Sequence, residues 1–431
     1  MVLERITTMD KKELRKLSKN ELIAIILQLE ERLREIETYL RAFDNPHTPS
    51  AKIRSKKNTE RDESKPRFPG KPKGSNGAGI RMPEPDREEK VTKDKCPQCG
   101  KKLGKEKDTY SFRQMNIPQP YFITTKYTIA LYKCSCGAEI DAGEDMQKGF
   151  YGPNVAALIG YLKKEGISHG SIANLLGEVY GLPISNVGVY GKFAKLTDSM
   201  RSERERIRRK INRSNHANVD ETGLRKDGKN GHVWNASTPD SCLFEYDRSR
   251  GAEVAQRLLS NFSGALVSDD FKSYAWYPLR QLCWSHLLRE AKDVAEKYDD
   301  AKAQYERLKT LYDKAKRTQE IKDTSKYDAL AWELEDIALC YHPLDGCKSM
   351  YTKLHNRAEL WLLGVKMPHV PLTNNRAERN LRKVVLHRNR MGCIRNDKGE
   401  AFVNVFLSCV GTWKLQGKNT YKQLVKYSLL T

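Results

Sequence analysis

Three carboxylates, Asp220, Asp269 and Glu378, stand where a folded chain could bring them together. Asp220 ends a strand-like run, NHANVDETGL, and Asp269 follows another, GALVSDDF. Glu378 lies in LTNNRAERNLRKVVLHRNRMGCIR, Leu372 to Arg395, as the only acid among Arg376, Arg379, Arg382, Lys383, Arg388, Arg390 and Arg395. A lone carboxylate in so basic a stretch is either paired with those cations or held for a metal. Two-metal phosphoryl transfer needs carboxylates converging on two divalent ions about 4 Å apart, one activating the attacking oxygen and one stabilising the leaving oxygen. Two acids at the ends of adjacent central strands and one from a covering helix supply that cluster. Hard oxygen ligands favour Mg2+. Spacing does not choose between Asp269 and Asp270, since strand neighbours point to opposite faces. For the same reason Glu221 is expected to point away from Asp220.

A second set of residues has metal-ligand spacing. Cys96-Pro-Gln-Cys99-Gly and Cys134-Ser-Cys136-Gly offer four thiolates for one tetrahedral structural zinc, and the glycines let each pair turn tightly. Between the pairs, Tyr121 to Lys133 (YFITTKYTIALYK) reads as strand, as a zinc ribbon requires. Cys283-Trp284-Ser285-His286 has no second Cys/His pair nearby at suitable spacing. It reads as structural, or as placing His286 beside the active site on a DNA phosphate, rather than as half of a zinc site.

The elements that must position the carboxylates follow in order. Asn215 to Asp220, His232 to Ser237 and Cys242 to Tyr246 read as strands joined by turns. Ala252 to Phe262 reads as helix, Gly264 to Phe271 as strand, and Leu279 to Trp284 as strand after a helical turn. A three-strand antiparallel meander followed by parallel strands with helices predicts a mixed α/β sheet, the element order of the ribonuclease H-like fold. A charged helical insertion, about 287–365, separates Asp269 from Glu378. Ala401 to Gly411 is a buried helix or strand that closes the core.

Upstream lie segments of other kinds. Lys11 to Phe43 carries a heptad seam, with Ile26, Leu33 and Leu40 at a and Leu22, Leu29, Ile36 and Phe43 at d, which predicts a short coiled coil. Residues 45–90 form a basic linker too poor in large apolar side chains to fold. Gly152 to Leu196 resembles a helix-turn-helix, with Ser168 and Ser185 as N-caps. A basic helix, Arg201 to Arg213, follows and includes Arg208 and Arg209 as candidate DNA-backbone contacts.

The formal net charge of +22 over 431 residues points to a polyanionic partner, nucleic acid before membrane. No apolar run approaches the roughly 18 residues of a membrane span. With no secretory signal and ten cysteines, the chain reads as cytoplasmic with reduced thiols, some of them metal ligands, and as nucleoid-associated when bound to DNA.

VDETG, GALVSDDFKSY, CWSH and LTNNRAERNLR resemble, in order, the signatures of the DDE transposases of the insertion sequence 66 family. The coiled coil, the PGKPKG linker, CPQCG and YGPNVAALIGYL also occur in that family's order. The resemblance implies that Asp220, Asp269 and Glu378 are the catalytic, magnesium-binding triad, and it favours Asp269 over Asp270. It departs from the family at Asp270-Phe271, usually Gly-Tyr, and at Thr373, often Asp. The implied layout is a coiled-coil helix (1–44), a linker (45–90), a zinc ribbon (91–145), a helical DNA-binding domain (150–213), a ribonuclease H-like core (214–400) and a C-terminal segment (401–431). The implied activity is cleavage of element-end DNA and joining of its 3′-hydroxyl to target DNA. Arg376, Arg379 and Arg382 would contact phosphates, and Asn374 and Asn375 would flank Glu378. A homo-oligomer through the coiled coil, and possible helper proteins, are the expected partners. The rival readings are a nuclease of the same fold and a non-catalytic DNA-binding copy.

Overall fold

The computed structural model describes Ile26, Glu30 and residues 84–430 apart from 106, 116, 118, 119, 145, 147 and 148. The predicted coiled coil lies outside the described residues except for Ile26 and Glu30, which are helical and exposed, and the linker lies outside them up to residue 83. The chain divides into two compact units, Met1–Pro120 and Tyr121–Thr431. No helix among the described residues is long and apolar enough to cross a membrane.

Each cysteine pair makes a tight turn within its own unit. In the first, the Gly100 N–H donates to the Cys96 carbonyl at 2.8 Å and Cys96 N–H to the Lys101 carbonyl at 2.8 Å. In the second, the Gly137 N–H donates to the Cys134 carbonyl at 2.9 Å and Cys134 N–H to the Ala138 carbonyl at 2.8 Å. Gly100 and Gly137 sit at φ of 73° and 92°, where a side chain would be strained. The long strand expected over Tyr121 to Lys133 is strand only in its last three residues. There β1 (Leu131–Lys133) pairs antiparallel with β2 (Glu139–Asp141). A strand extends only as far as its partner, and β2 offers three residues.

Four helices follow, α1 (Pro153–Lys164), α2 (His169–Tyr180), α3 (Asn186–Ser199) and α4 (Arg201–Asn212). The expected caps form: Ser168 Oγ accepts the Ser171 N–H at 3.0 Å, and Ser185 Oγ accepts the Gly188 N–H at 3.1 Å. The five-stranded sheet comprises β3 (His216–Gly223), β4 (His232–Ser237), β5 (Cys242–Asp247), β6 (Ala265–Ser268) and β7 (Arg280–Leu282), in the order β5-β4-β3-β6-β7. β3, β4 and β5 are antiparallel, while β6 runs parallel to β3 and β7 parallel to β6. α5 (Ala252–Leu258) carries the chain from the meander to β6. All four residues of β6 are buried, the continuous run expected of a parallel strand covered on both faces.

The insertion is helical, as expected: α6 (Trp284–Lys297), α7 (Lys302–Ile321), α8 (Tyr327–Tyr341) and the short α9 (Lys348–Leu354), α10 (Ala358–Trp361) and α11 (Leu363–Lys366). It has its own core of Leu287, Leu308, Leu334, Ile337 and Trp361. α12 (Asn375–Met391) then packs across β3 and β4. After α13 (Asp397–Ala401), a π-helical stretch (Phe402–Leu407) runs into α14 (Ser408–Leu415), and α15 (Thr420–Ser428) follows. Phe193 of α3, Phe244 of β5, Phe406 and Leu424 belong to one hydrophobic core that joins α1–α3, the sheet and the C-terminal helices.

The segment 401–411, open between helix and strand from sequence, is helix, and it covers the outer edge of the sheet. Asn404 Oδ1, Ser408 Oγ and Thr412 Oγ1 accept the N–H groups of Tyr246, Phe244 and Cys242 at 2.7, 2.8 and 2.9 Å. Two strand residues advance about 6.8 Å and four helical residues about 6 Å, so one polar side chain per turn meets each free N–H. An edge that would otherwise template pairing with another chain is thereby satisfied.

One further contact fixes α12. Asn218 Nδ2 of β3 donates to Asn374 Oδ1 at 3.0 Å, and Asn374 Nδ2 donates to the Val219 carbonyl at 2.6 Å. Both residues are fully buried. Asn374 is the N-cap of α12, yet its side chain caps nothing within the helix and is committed to β3 instead. Asn374→Ala is predicted to lower stability by about 1–3 kcal/mol, the cost of buried polar groups left unpaired. The exposed neighbour change Asn375→Ala should stay within about 0.5 kcal/mol. Urea midpoints of the two variants check both values.

Candidate active site

Register brings the first two acids together. His216, Ala217 and Asn218 of β3 lie opposite Ala265, Leu266 and Val267 of β6. Two residues further along the same register, Asp220 stands beside Asp269. Asp269 is buried, and its Oδ1 accepts the Phe271 N–H at 3.2 Å. Asp220 Oδ1 accepts the Glu221 N–H at 2.9 Å. Burial, and then the charges of Glu221, Asp269 and Glu378, hold the Asp220 carboxyl well above the usual carboxylate range. Asp220 as a residue still reaches solvent, so the raised carboxyl reports a crowded, partly open acidic site rather than a sealed one.

The adjacent acids are committed elsewhere. Asp270 accepts both guanidinium arms of Arg357, at 2.9 and 2.5 Å. That pair ties the insertion to the end of β6 and neutralises Asp270. Glu221 Oε1 accepts Nε and Nη2 of Arg250 at 2.9 and 2.7 Å, and Glu221 Oε2 accepts the Tyr274 hydroxyl at 2.6 Å. Its side chain is therefore turned to that pair, in line with strand alternation. Arg250 also stacks on Phe271, 4.1 Å from the ring centroid. Tyr274 is fully buried, and burial followed by the charges of Glu221, Asp220 and Asp269 pushes its hydroxyl well above the ordinary value.

Glu378 lies in the first turn of α12, four residues after the Asn374 clamp. Of the two readings of its basic surroundings, pairing with the helix's own arginines is not what the side chains do. Its ionisable neighbour is His286, with Nε2 3.4 Å from Glu378 Oε1. That oxygen is buried and has no hydrogen-bond partner among the described residues. Arg379 and Arg382 are exposed, whereas burial and then Arg379 lower the Arg376 guanidinium's proton affinity. The charges of Asp269 and Glu378 both bear on the Asp220 carboxyl, and carboxylate oxygens are the ligand type that divalent cations such as Mg2+ take.

Cys283 enters the same neighbourhood. Its Sγ accepts the Asn374 N–H at 3.1 Å, and its sulfur, a His286 ring nitrogen and a Glu378 oxygen all lie within 4.8 Å of one another. The sequence reading looked for a second Cys/His pair close in the chain. What stands there instead is a carboxylate from α12, far along the sequence. Asn218, Tyr274, Arg250 and Arg357 were also missed. Asn218 alone carried a signal: a single amide in the buried run HANV has to be paired with something.

Of the other candidate DNA contacts, Arg208 on α4 donates to the Arg257 carbonyl at 2.7 Å. Arg209 is exposed and lines a cleft of about 730 Å³ with Arg206, Lys210 and Arg213.

No curated protein matches the chain. The family model described as Transposase IS66 family matches residues 148–401, which is more than half of the chain and contains the whole acidic site. The chain belongs to the IS66 family of transposases.

Proposed function

We propose that the chain is a DDE transposase whose ribonuclease H-like core cuts element-end DNA and joins it to a target. The observation that supports the reading is that the charges of Asp269 and Glu378 act on the buried Asp220 carboxyl and help to raise it, beside a buried Glu378 Oε1 that accepts no hydrogen bond among the described residues. The order β5-β4-β3-β6-β7, with the first strand central and the fourth parallel beside it, supports the fold assignment.

Asp220, Asp269 and Glu378 would hold two Mg2+ ions. Such ions, when bound, supply activation of the attacking oxygen and charge stabilisation of the leaving one. In the first step water attacks a phosphodiester at the element end, and the P–O bond to the 3′-oxygen breaks to free a 3′-hydroxyl. In the second, that hydroxyl attacks a target phosphodiester and displaces its 3′-oxygen, so one phosphodiester replaces another and no protein nucleophile is needed. Asn374 keeps Glu378 over β3. Arg379 and Arg382, exposed on α12, bind flanking phosphates, with Arg376 beside them. The cleft beside α4, with Arg208 and Arg209 on that helix, holds duplex backbone further away.

In each cysteine turn backbone N–H groups lower the thiol pKa, at Cys96 and at Cys134, which supports zinc ligation by each pair, Cys96 with Cys99 and Cys134 with Cys136. The N-terminal heptads would join copies of the chain, because two element ends must be brought together.

Glu378→Gln is expected to bind element-end DNA as the wild type does while cleavage and joining fall by more than about 100-fold, the upper end of what losing a group behind a metal ligand costs. Gel-shift and strand-transfer assays on a labelled end with a free 3′-hydroxyl measure both. Cleavage without joining would make the protein a nuclease, and loss of binding would make Glu378 structural. Chelating zinc should unfold residues 91–145 and leave the circular dichroism of the core in place. A core that melts together with that segment would contradict a separate ribbon.

A further inference from the structure

The turn from β7 into α6 gathers ligand atoms of a different chemical kind around Glu378. Cys283 is the N-cap of α6, and the backbone N–H groups of Asn374, His286 and Ser285 all bear on its sulfur. Burial, the largest influence, pushes the Cys283 thiol up and the charge of Glu378 adds to that, while the three N–H groups oppose both, so the thiol stays protonated until an ion displaces the proton. His286 stands three residues after Cys283, a spacing that puts both on one face of the first helical turn. Its Nε2 approaches Glu378 Oε1 to 3.4 Å, and yet that buried oxygen accepts no hydrogen bond. The sulfur, the ring nitrogen and the carboxylate oxygen lie within 4.8 Å of one another, close enough for one ion to touch all three.

We propose that Cys283, His286 and Glu378 form a binding site for a transition-metal ion of the zinc class, with three protein ligands and one open position. A soft thiolate and a borderline imidazole, joined by one carboxylate, make a mixed set that suits Zn2+ and matches Mg2+ poorly. Binding releases the Cys283 proton to solvent, and no other bond changes. The site also has a consequence for the chemistry, and this part rests on the function proposed above. Glu378 belongs to both donor sets, so zinc bound here withdraws it from magnesium and stops DNA cleavage.

Co2+ is the probe, because a cobalt–thiolate bond has its own charge-transfer absorption. The full chain is first loaded with one equivalent of Zn2+ and then titrated with Co2+. Wild type is expected to develop a further thiolate band at the second equivalent. Cys283→Ser, which keeps an acceptor for the Asn374 N–H, should lack that band. His286→Ala, at a half-buried position, should weaken Co2+ binding by at least about tenfold and serves as the second variant if the first does not fold. A band that persists unchanged in both variants, or that never appears in wild type, overturns the site. Separately, Zn2+ added to a Mg2+-dependent cleavage reaction should inhibit wild type reversibly and inhibit His286→Ala less, each relative to its own zinc-free rate. A Cys283-dependent cobalt band with cleavage indifferent to zinc would overturn the sharing of Glu378. Wild type that binds cobalt through Cys283 but cuts no DNA would uphold the site and count against the transposase reading.

Discussion

A pair of buried carboxamides joins two segments 156 residues apart, Asn218 in the central strand and Asn374 at the head of α12. Neither side chain meets solvent, so neither can exchange its partner for water at little cost. Asn374 spends its Nδ2 on the Val219 carbonyl and its own N–H on the Cys283 sulfur. A slide of α12 by one residue would break all of these bonds at once. The helix is therefore fixed at its head by β3 and by the turn from β7 into α6, and along its length by its apolar face over the sheet. Glu378, one turn further on, inherits that position. The contact specifies location more than it adds stability, which is the best-attested use of buried polar pairs.

The acidic site is the opposite kind of feature, since it costs stability. Asp220 and Asp269 are held side by side by strand register, and Glu378 is brought to them by the carboxamide clamp. The charge of Asp269 bears on the buried Arg280, and Glu378 has His286 3.4 Å away, while the other nearby cations are engaged elsewhere. Arg357 is committed to Asp270, Arg250 to Glu221, and Arg379 and Arg382 face solvent. Local self-repulsion inside a chain of net charge +22 is what a site for cations requires. Asp270 and Glu221 are thus structural acids in an acidic neighbourhood, each fastening a loop beside the site.

Much of this was legible in the sequence because it depends on local patterns. The meander, the parallel strands β6 and β7, the helical insertion and the Ser168 and Ser185 caps all follow from periodicity and from short-range hydrogen-bonding chemistry. The pairing of Asp270 with Arg357 did not, because Arg357 is distant in sequence; on strand geometry alone Asp269 and Asp270 stay open, and the resemblance favours Asp269. Nor did the meeting of Cys283 with Glu378, which needs α12 already in place. Tyr121 to Lys133 was over-read as strand, since β propensity says nothing about whether a partner exists. Asn404, Ser408 and Thr412, spaced four apart in an apolar run, did carry a helical signal. Their role as acceptors for the β5 edge shows only once the edge is known.

Burial, and then the charges of Glu221, Asp269 and Glu378, disfavour the ionised Asp220 carboxyl, and a divalent cation bound by Asp220, Asp269 and Glu378 would relieve that cost. Thermal unfolding of wild type and Asp220→Asn, with and without Mg2+, tests it without requiring a DNA substrate. Without the ion, Asp220→Asn should melt above wild type, because one repelling charge is gone. Adding Mg2+ should raise the wild-type midpoint, by an amount equivalent to about 2.7 kcal/mol at a hundredfold excess over the dissociation constant, and should leave the variant unmoved. A variant that melts below wild type, together with a wild type indifferent to Mg2+, would contradict the account.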